Sequence, residues 1–251
     1  MNLLYTTPLI FFVIAFFFSM LGMGGAQLYI PILFWLGMDF KTEAIPLGML
    51  LSLINSTSAT ITYIRHKLIR WRVALPLALT MFAFAPLGAM TNAHLPSKVV
   101  ICCFAVFTAL AATLMILGIE PKRKLSLRTE YFLGALVGMV LGFIAGLIGR
   151  GGGSFVVPIL YLAGLSAKNA AATSSMVVSF SVFSGFISHL LLSAHPRWLI
   201  WILTGGGVLA GSQLGSRIMA KKLKSRQVKL IFAFILYLVS AILIIKDVIL
   251  K

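Results

Sequence analysis

The amino-acid sequence predicts an all-α, polytopic integral membrane protein built from two homologous halves. Three observations lead to this fold class: an apolar composition, a series of long apolar runs and an internal duplication. Of the 251 residues, 60% are hydrophobic and only 10% are charged, and the mean hydropathy is +1.05. Soluble chains carry about 45–50% apolar and about 25% charged residues. A chain of this length could not hide so much apolar surface from water, which excludes an ordinary soluble enzyme.

The basic residues act as a topological signal. Lys and Arg total 21 against 5 Asp and Glu, which gives a formal net charge of +16. In a soluble protein this excess would indicate nucleic-acid binding. Here the cations lie between long apolar runs, so they mark the loops of a membrane protein and no nucleic-acid partner is predicted. Cys102 and Cys103 adjoin within one apolar run and offer neither a disulfide framework nor a metal-ligand spacing, so we expect them to pack.

Long apolar runs account for most of the chain. Crossing the hydrocarbon layer of a membrane takes about 20 residues, with a range of about 17–25. Two runs, 8–22 and 131–148, are each followed by a glycine cluster and a short apolar piece. The first of them has no basic region before it and no small-residue cleavage site after it, so we expect it to remain in the mature protein. The uninterrupted runs lie near 43–64, 73–90, 99–118, 170–192, 198–216 and 228–245.

An offset of 127 positions aligns the first half of the chain with the second. The alignment holds without a gap from Gly22 to Gly88, which is hard to obtain by chance even in a biased composition. We therefore predict a first transmembrane repeat over 1–118, a polar cytoplasmic linker over 119–129 and a second repeat over 130–251. The matched residues include Gly22 with Gly149, Gly24 with Gly151, Gly25 with Gly152, Pro31 with Pro158, Ser52 with Ser179, and Arg70 with Arg197.

The distribution of cations over the loops predicts how the halves are oriented. If all eight apolar segments cross the membrane, the halves are parallel and the two sides hold eleven and nine cations. If each glycine-broken segment is re-entrant, each half has three crossings and the halves are inverted. One side then collects fifteen cations and the other five. The positive-inside rule expects such an asymmetry, so we predict inverted repeats with both termini on the non-cytoplasmic side.

The glycine clusters at 22–25 and 149–153 are the strongest pointers to a binding site. Each glycine destabilises a helix interior by roughly 1 kcal/mol, and a broken helix at bilayer depth is tolerated only where protein or a water-filled cavity satisfies its backbone. Two breaks at corresponding positions of two halves indicate the site of a transporter. The alternative is that they are only tight hairpin tips. Gly134, Gly138 and Gly142, four residues apart, are instead typical of close helix packing.

The residues around the breaks predict that the ligand is an anion. Free backbone N–H groups and the positive ends of helix dipoles attract anions. Pro31 and Pro158 suit the first turn of a helix. Arg150 is the one charged residue inside a membrane segment, and its planar fork can hold an oxyanion; alternatively it snorkels to an interface or pairs with carbonyls. We expect substrate contacts from Gly24, Gly25, Gln27, Arg150, Gly151, Gly152, Gly153 and Ser154, of which Gln27 and Ser154 can also cap the returning half-helices.

A second polar cluster lies on the runs that follow the breaks. Hydroxyl and amide groups could replace the hydration shell of an anion without adding charge. The alternative is hydrogen bonding between helices, worth about 0.6 kcal/mol per contact. His189 could titrate near neutral pH or be a satisfied interior histidine. The candidates are Asn55, Ser56, Thr173, Ser174 and Ser175.

The glycine–proline pattern and the duplication carry a family resemblance. Gly149-x-Gly151-Gly152-Gly153-x4-Pro158 and its degenerate copy Gly22-x-Gly24-Gly25-x5-Pro31 resemble the sulfite exporter TauE/SafE family, also called the 4-toluene sulfonate uptake permease family. The resemblance covers residues 8 to 248. It implies an inner-membrane transporter of sulfur-containing oxyanions or organosulfonates. Many members have a small apolar residue where this chain has Arg150, and the first copy has Ala26 where the second has Gly153.

The sequence therefore predicts a secondary transporter, and the main hypothesis is that it exports a small sulfur oxyanion or sulfonate. Uptake of the same anions, a passive channel and a non-transporting membrane scaffold remain alternatives. The apolar runs contain no Ser/His/Asp arrangement, paired carboxylates, metal-ligand spacing or nucleotide-binding motif, so we predict neither an enzyme nor a cofactor. An inside-negative potential favours anion export by about 2.3 kcal/mol per charge per 100 mV.

Overall fold

The computed structural model describes residues 3–92, 113, 127–148, 153–193 and 197–243, and these are helical apart from short connections. The prediction of an all-α chain is therefore confirmed for the described part. The predicted run 99–118 and Cys102–Cys103 lie outside it, apart from residue 113. The helices are α1 (Leu3–Leu21), α2 (Ala26–Trp35), α3 (Ile45–Arg65), α4 (Trp71–Asn92), α5 (Leu127–Ile148), α6 (Gly153–Leu162), α7 (Ala167–Ser193), α8 (Trp198–Lys221) and α9 (Ser225–Leu243), with a π-helical turn at Phe40–Ala44 before α3.

The two short helices follow the glycine clusters, as the sequence predicts. Gly22, Gly24 and Gly25 have φ values of 71°, 76° and 105°, a left-handed conformation that ends α1 and that glycine adopts without strain. Contrary to expectation, the prolines do not lie in the first helical turn, because α2 and α6 begin five residues before Pro31 and Pro158. Both prolines therefore lie in the second helical turn, where each leaves one carbonyl without its helical partner.

Glycine stripes bring two pairs of helices into backbone contact. A Cβ on Gly142 of α5 would stand 2.7 Å from Met81 Cα of α4, and one on Gly146 would overlap the Ala85 carbonyl. On α8, a Cβ on Gly207 would stand 2.5 Å from the Pro8 carbonyl of α1, and one on Gly211 would overlap the next turn of α1. The α4–α5 and α1–α8 pairs are therefore packed as closely as helix backbones allow.

The helices α3 and α7 form the centre of the molecule. They contact each other, and each also contacts α4 or α8 of the surrounding layer. The most apolar 18-residue stretches of α3 and α7 are 72% and 78% buried, against 33% for α4. Large apolar side chains such as Leu9, Leu191, Ile202 and Phe234 are more than two-thirds exposed on the outer surface. This arrangement, polar groups inside and apolar groups outside, suits surrounding lipid.

Three of the described helical segments are long and apolar enough to cross a membrane by length and composition: Thr42–Arg65, Trp71–Gly88 and Ala167–Leu191. They correspond to α3, α4 and α7. Four shorter apolar segments, Thr6–Leu21, Ala26–Trp35, Gly134–Gly146 and Gly153–Leu162, belong to the helices on either side of the two glycine clusters. The described part of the chain thus has the helical content of a polytopic membrane protein.

The two ends of the helix bundle carry different charges. At one end Arg197, just before α8, pairs with Glu43, just before α3, at 2.6 Å between Nε and Oε1. At the other end the last turns of α3 and α8 enclose a cavity of about 350 Å³. Lys168 at the start of α7 reaches the same end, where its Nζ donates to the Ala220 carbonyl at 2.7 Å. The cavity is lined by Thr62, Arg65, His66, Gln213, Arg217 and Lys221.

Candidate functional site

The glycine break between α1 and α2 is held from both halves of the chain. Asn55 Nδ2 of α3 donates to the Gly24 carbonyl at 2.6 Å, and Ser174 Oγ of α7 donates to the Gly22 carbonyl at 2.8 Å. Breaking a helix frees backbone carbonyls that water would otherwise satisfy. Here two side chains from the central helices satisfy them, so hydrogen bonds stabilise the break within the protein interior.

At the break, close neighbours leave no room for a side chain at Gly24 or Gly25. A Cβ on Gly25 would stand 2.5 Å from Tyr29 Cζ, and one on Gly24 would stand 2.9 Å from Val178 Cγ1 and overlap Ser52 Oγ. A Cβ on Gly153 would stand 2.6 Å from Met23 Cα. Gly153, the first residue of α6, therefore touches the first break directly.

The start of α2 differs from the predicted capping. Gly25 occupies the N-cap position with φ 105° and has no side-chain cap. Because α2 begins at Ala26, Gln27 falls inside the first turn, and its Nε2 donates to Met23 Sδ at 3.4 Å instead of serving as an N-cap. Ser154 holds the corresponding second position of α6 and is buried. The positive end of the α2 dipole is therefore left without a side-chain acceptor.

Three buried polar atoms around this break have no hydrogen-bond partner within the part of the chain that the structure describes. They are Tyr29 Oη, Ser52 Oγ and Asn55 Oδ1, and all three residues have no exposed surface. An unpaired polar atom in the interior costs about 1–3 kcal/mol, so each one calls for an explanation. All three residues lie against two consecutive glycines, and we call Gly24, Gly25, Tyr29, Ser52 and Asn55 together the hairpin-tip site, our candidate ligand position.

Sequence reasoning missed Tyr29 and Ser52. Tyr29 lies four residues after Gly25, one turn along α2, so its ring returns over the glycine. Ser52 lies three residues before Asn55, so the two side chains share one face of α3. Its repeat partner, Ser179, was a further signal, because the 127-residue offset aligns the two serines.

The remaining hydroxyl candidates are bonded away from the hairpin-tip site. Ser56 Oγ donates to the Leu53 carbonyl at 3.3 Å and Ser175 Oγ to the Ala171 carbonyl at 3.2 Å, each within its own helix. Thr173 Oγ1 accepts from the Arg70 N–H at 3.1 Å and so holds the start of α4. Of the five candidates on α3 and α7, Asn55 and Ser174 are the two whose side chains bond the backbone of the break.

A ladder of hydrogen bonds joins α3 to α8 between the hairpin-tip site and the basic cavity. Ser212 Oγ donates to the Asn55 carbonyl at 2.8 Å. Further along, Gln213 Nε2 donates to Ser58 Oγ at 2.8 Å, and Ser216 Oγ donates to Thr62 Oγ1 at 3.1 Å. These bonds are the helix–helix contacts expected of hydroxyls in membrane proteins. They form a row of polar contacts that runs from Asn55 to the cavity lined by Arg65 and Arg217.

Arg150, Gly151 and Gly152 lie outside the described residues, so the expectations placed on them remain predictions. His189 lies in α7, where its Nε2 is buried without a partner, away from the contacts that form the hairpin-tip site. Within the described ranges no group of three or more His, Cys, Asp or Glu side chains could hold a metal ion.

A polar, glycine-broken hairpin inside a bundle of apolar helices defines a class of protein, the polytopic membrane transporter. The family model described as "Sulfite exporter TauE/SafE" matches residues 8–243, and the chain belongs to this family.

Curated relatives cover nearly the whole chain. It is 27% identical over 252 residues to the "Probable membrane transporter protein YunE" of Bacillus subtilis, covering 90% of this chain and 92% of that protein. It is 29% identical over 221 residues to "Probable membrane transporter protein y4hK" of Sinorhizobium fredii, covering 84% and 87%. It is 28% identical over 257 residues to "Probable membrane transporter protein YfcA" of Escherichia coli, covering 96% and 91%. No solved structure matches the chain significantly.

Proposed function

We propose that this protein is a secondary transporter of the inner membrane that exports small sulfur-containing anions, such as sulfite or organosulfonates, by alternating access. The observation that carries the proposal is the convergence of Tyr29 Oη, Ser52 Oγ and Asn55 Oδ1, all buried and unpartnered, on the glycine break. Unpaired polar atoms at a broken helix are where a transporter binds its substrate. In the conformation described here the hairpin-tip site is closed to solvent, which suits an intermediate of alternating access.

The proposed anion follows from the charges and dipoles around the site. The uncapped start of α2 presents a positive dipole end. The five acidic residues of the chain, Asp39, Glu43, Glu120, Glu130 and Asp247, all lie away from the break in sequence, in or beside the loops. A cation would find no carboxylate at the tip, whereas an anion finds donors. The sulfur chemistry of the ligand is suggested by the family's description.

The helix contacts support two homologous repeats. The 127-residue offset pairs α1 with α5, α2 with α6, α3 with α7 and α4 with α8. The contacts come in matching combinations: α1 packs on α8 as α5 packs on α4, and α3 packs on α8 as α7 packs on α4. Such exchanged contacts are those that a two-fold axis between the halves would produce.

The charged ends of the bundle support inverted rather than parallel halves. In a parallel arrangement the loops that hold Lys41 and Arg197 lie on opposite sides of the membrane. The ion pair between Glu43 and Arg197 supports a placement of those loops on the same side. Likewise Arg65 and Arg217, on opposite sides in a parallel arrangement, line one cavity. The cavity end carries the loops of the fifteen-cation side, which is the cytoplasmic side by the positive-inside rule.

The course of α1 and α2 supports a re-entrant hairpin. Along α1, Pro8 contacts Gly207 and Phe16 contacts Gly215, so α1 runs in the same direction as α8, away from Arg197. After the break, Ile30 packs on Gly48 at the first turn of α3, and the chain reaches Glu43 beside Arg197. The hairpin thus leaves and returns to the same end.

This topology is testable by cysteine labelling in intact cells. A cysteine at Asn2 or Lys251 should react with an impermeant thiol reagent added outside, because both termini are proposed to be non-cytoplasmic. The chain's own Cys102 and Cys103 are first replaced by alanine. The matched control, Lys222→Cys, is exposed at the proposed cytoplasmic end and should react only after permeabilisation. Protection of both terminal cysteines together with labelling of the control would reverse the orientation.

The transport function is testable by flux into proteoliposomes. Purified protein should mediate saturable flux and counterflow of labelled sulfite, with competition by at least one other sulfur oxyanion or sulfonate. Sulfate, thiosulfate and taurine complete the panel, and protein-free liposomes give the leak. Unitary currents without saturable counterflow would indicate a channel. Absence of saturable flux for every anion would exclude the proposed activity and favour a scaffold subunit.

A further inference from the structure

The side chain of Asn55 has a fixed orientation. Its Nδ2 donates to the Gly24 carbonyl at 2.6 Å, so rotating the amide by 180° would set two oxygens against each other. The backbone carbonyl of Asn55 is also held, by Ser212 Oγ at 2.8 Å. Asn55 Oδ1 therefore faces the hairpin-tip site as an acceptor, buried and unpartnered.

The other two unpartnered atoms at the site can serve any ligand oxygen. The hydroxyls of Tyr29 and Ser52 each carry a hydrogen to donate and lone pairs to accept with. An amide oxygen has no hydrogen to give. An oxyanion whose oxygens all lack hydrogen would place a negative oxygen against Asn55 Oδ1, which leaves that acceptor unsatisfied and adds repulsion.

We propose, resting on the proposed function, that the hairpin-tip site selects singly charged oxyanions that carry a hydrogen-bond donor, and takes hydrogen sulfite rather than the sulfite dianion. The ligand's O–H donates to Asn55 Oδ1, while its charged oxygens accept from the Tyr29 and Ser52 hydroxyls. Sulfonate groups carry a single charge, and among sulfonates the need for a hydrogen-bond donor favours those with an amino group, such as the zwitterion taurine, over methanesulfonate. Sulfate, a dianion without hydrogen at neutral pH, is a poor ligand.

Within the described residues, no neighbouring group donates a hydrogen bond to Asn55 Oδ1, the Tyr29 and Ser52 hydroxyls included. The titratable side chain at the site is Tyr29 of α2. On α3 the next is Tyr63, about two turns beyond Asn55, and its hydroxyl donates to the Ser19 carbonyl at 2.6 Å. From α7 the neighbours are Ser174 and Val178, which do not titrate. The hydrogen that satisfies Asn55 Oδ1 is therefore assigned to the ligand.

The test is the pH dependence of sulfite transport by the wild-type protein in proteoliposomes. Above the pKa at which hydrogen sulfite loses its proton, KM expressed as total sulfite should rise about tenfold per pH unit, because the transported species becomes tenfold scarcer. KM expressed as hydrogen sulfite and the maximal rate should stay nearly constant. A KM for total sulfite that does not change with pH would overturn the inference.

Selectivity gives a second, independent readout at one pH. Methanesulfonate and taurine differ in the amino group, so the wild-type protein should be inhibited at least tenfold more strongly by taurine. Asn55→Ala should abolish this preference. The matched variant Ser52→Ala should weaken both inhibitors together and keep their ratio, because a hydroxyl does not discriminate between them. A preference that survives in Asn55→Ala would remove Asn55 as its source.

The outcomes separate this inference from the proposed function. Saturable flux with a pH-independent KM and equal inhibition by both sulfonates would leave the transporter in place and exclude donor selection. Absence of flux for every anion would exclude the transporter itself. If Asn55→Ala does not fold, the pH series on the wild-type protein still decides the question.

Discussion

Gly22→Ala should abolish transport and lower the stability of the protein more than any other single methyl addition at the first break. The φ of +71° costs a non-glycine residue about 1–2 kcal/mol. The new Cβ would also overlap the backbone carbonyl of Ala171, which cannot turn aside as a side chain could. We expect a total loss of about 3 kcal/mol or more, measured as the apparent thermal midpoint in detergent, with flux measured in parallel.

Gly206→Ala is the matched control for that substitution. Gly206 lies inside α8 with open space around its Cβ position. Alanine is the better helix former by about 1 kcal/mol, so the thermal midpoint should stay equal or rise and the flux should persist. Equal behaviour of the two variants would contradict the packing described at the first break.

Arg150→Ala should raise KM for the transported anion by at least about a hundredfold. A guanidinium that holds an oxyanion makes two charge-assisted hydrogen bonds, each worth about 1.5–3 kcal/mol. The break residues at 149–153 align with the first break under the 127-residue offset, and Gly153 contacts Met23. Arg150 lies three residues before Gly153 in the sequence, so we expect it to lie close to the first break. The measurement is the concentration dependence of flux in proteoliposomes.

Lys222→Ala controls for the loss of one positive charge. Lys222 is exposed just after α8, and its removal should leave KM within about twofold of the wild type, because an exposed charge is screened by solvent and salt. An unchanged KM in Arg150→Ala would assign that arginine to the alternative role, pairing with carbonyls or reaching an interface.

The helical layout could be predicted from the sequence because its signals are local. Glycine clusters end helices through backbone conformation, and the positions of α2 and α6 follow directly from those clusters. The two-residue difference in the N-cap of α2, Gly25 instead of Gln27, shows the limit of such signals. It moved Gln27 from the expected capping position into the first turn, where its amide meets Met23.

The partners of the polar side chains could not be predicted from the sequence. Asn55, Ser56, Ser174 and Ser175 look alike as small polar residues in apolar helices. Ser56 and Ser175 bond carbonyls of their own helices, an option open to any helical serine. Asn55 and Ser174 reach the break because α3 and α7 cross the hairpin there. That crossing depends on contacts far apart in sequence, such as Gly22 against Ala171.

The glycine stripes have a consequence for the motion that moves a substrate. Backbone-to-backbone packing joins α1 to α8 and α4 to α5, and each pair takes one helix from each half of the chain. A rocking motion of one half against the other would have to pull apart both of these close interfaces. The parts that can move as rigid bodies are therefore the α1–α8 and α4–α5 pairs, each of which combines both halves of the polypeptide, turning about the α3–α7 centre.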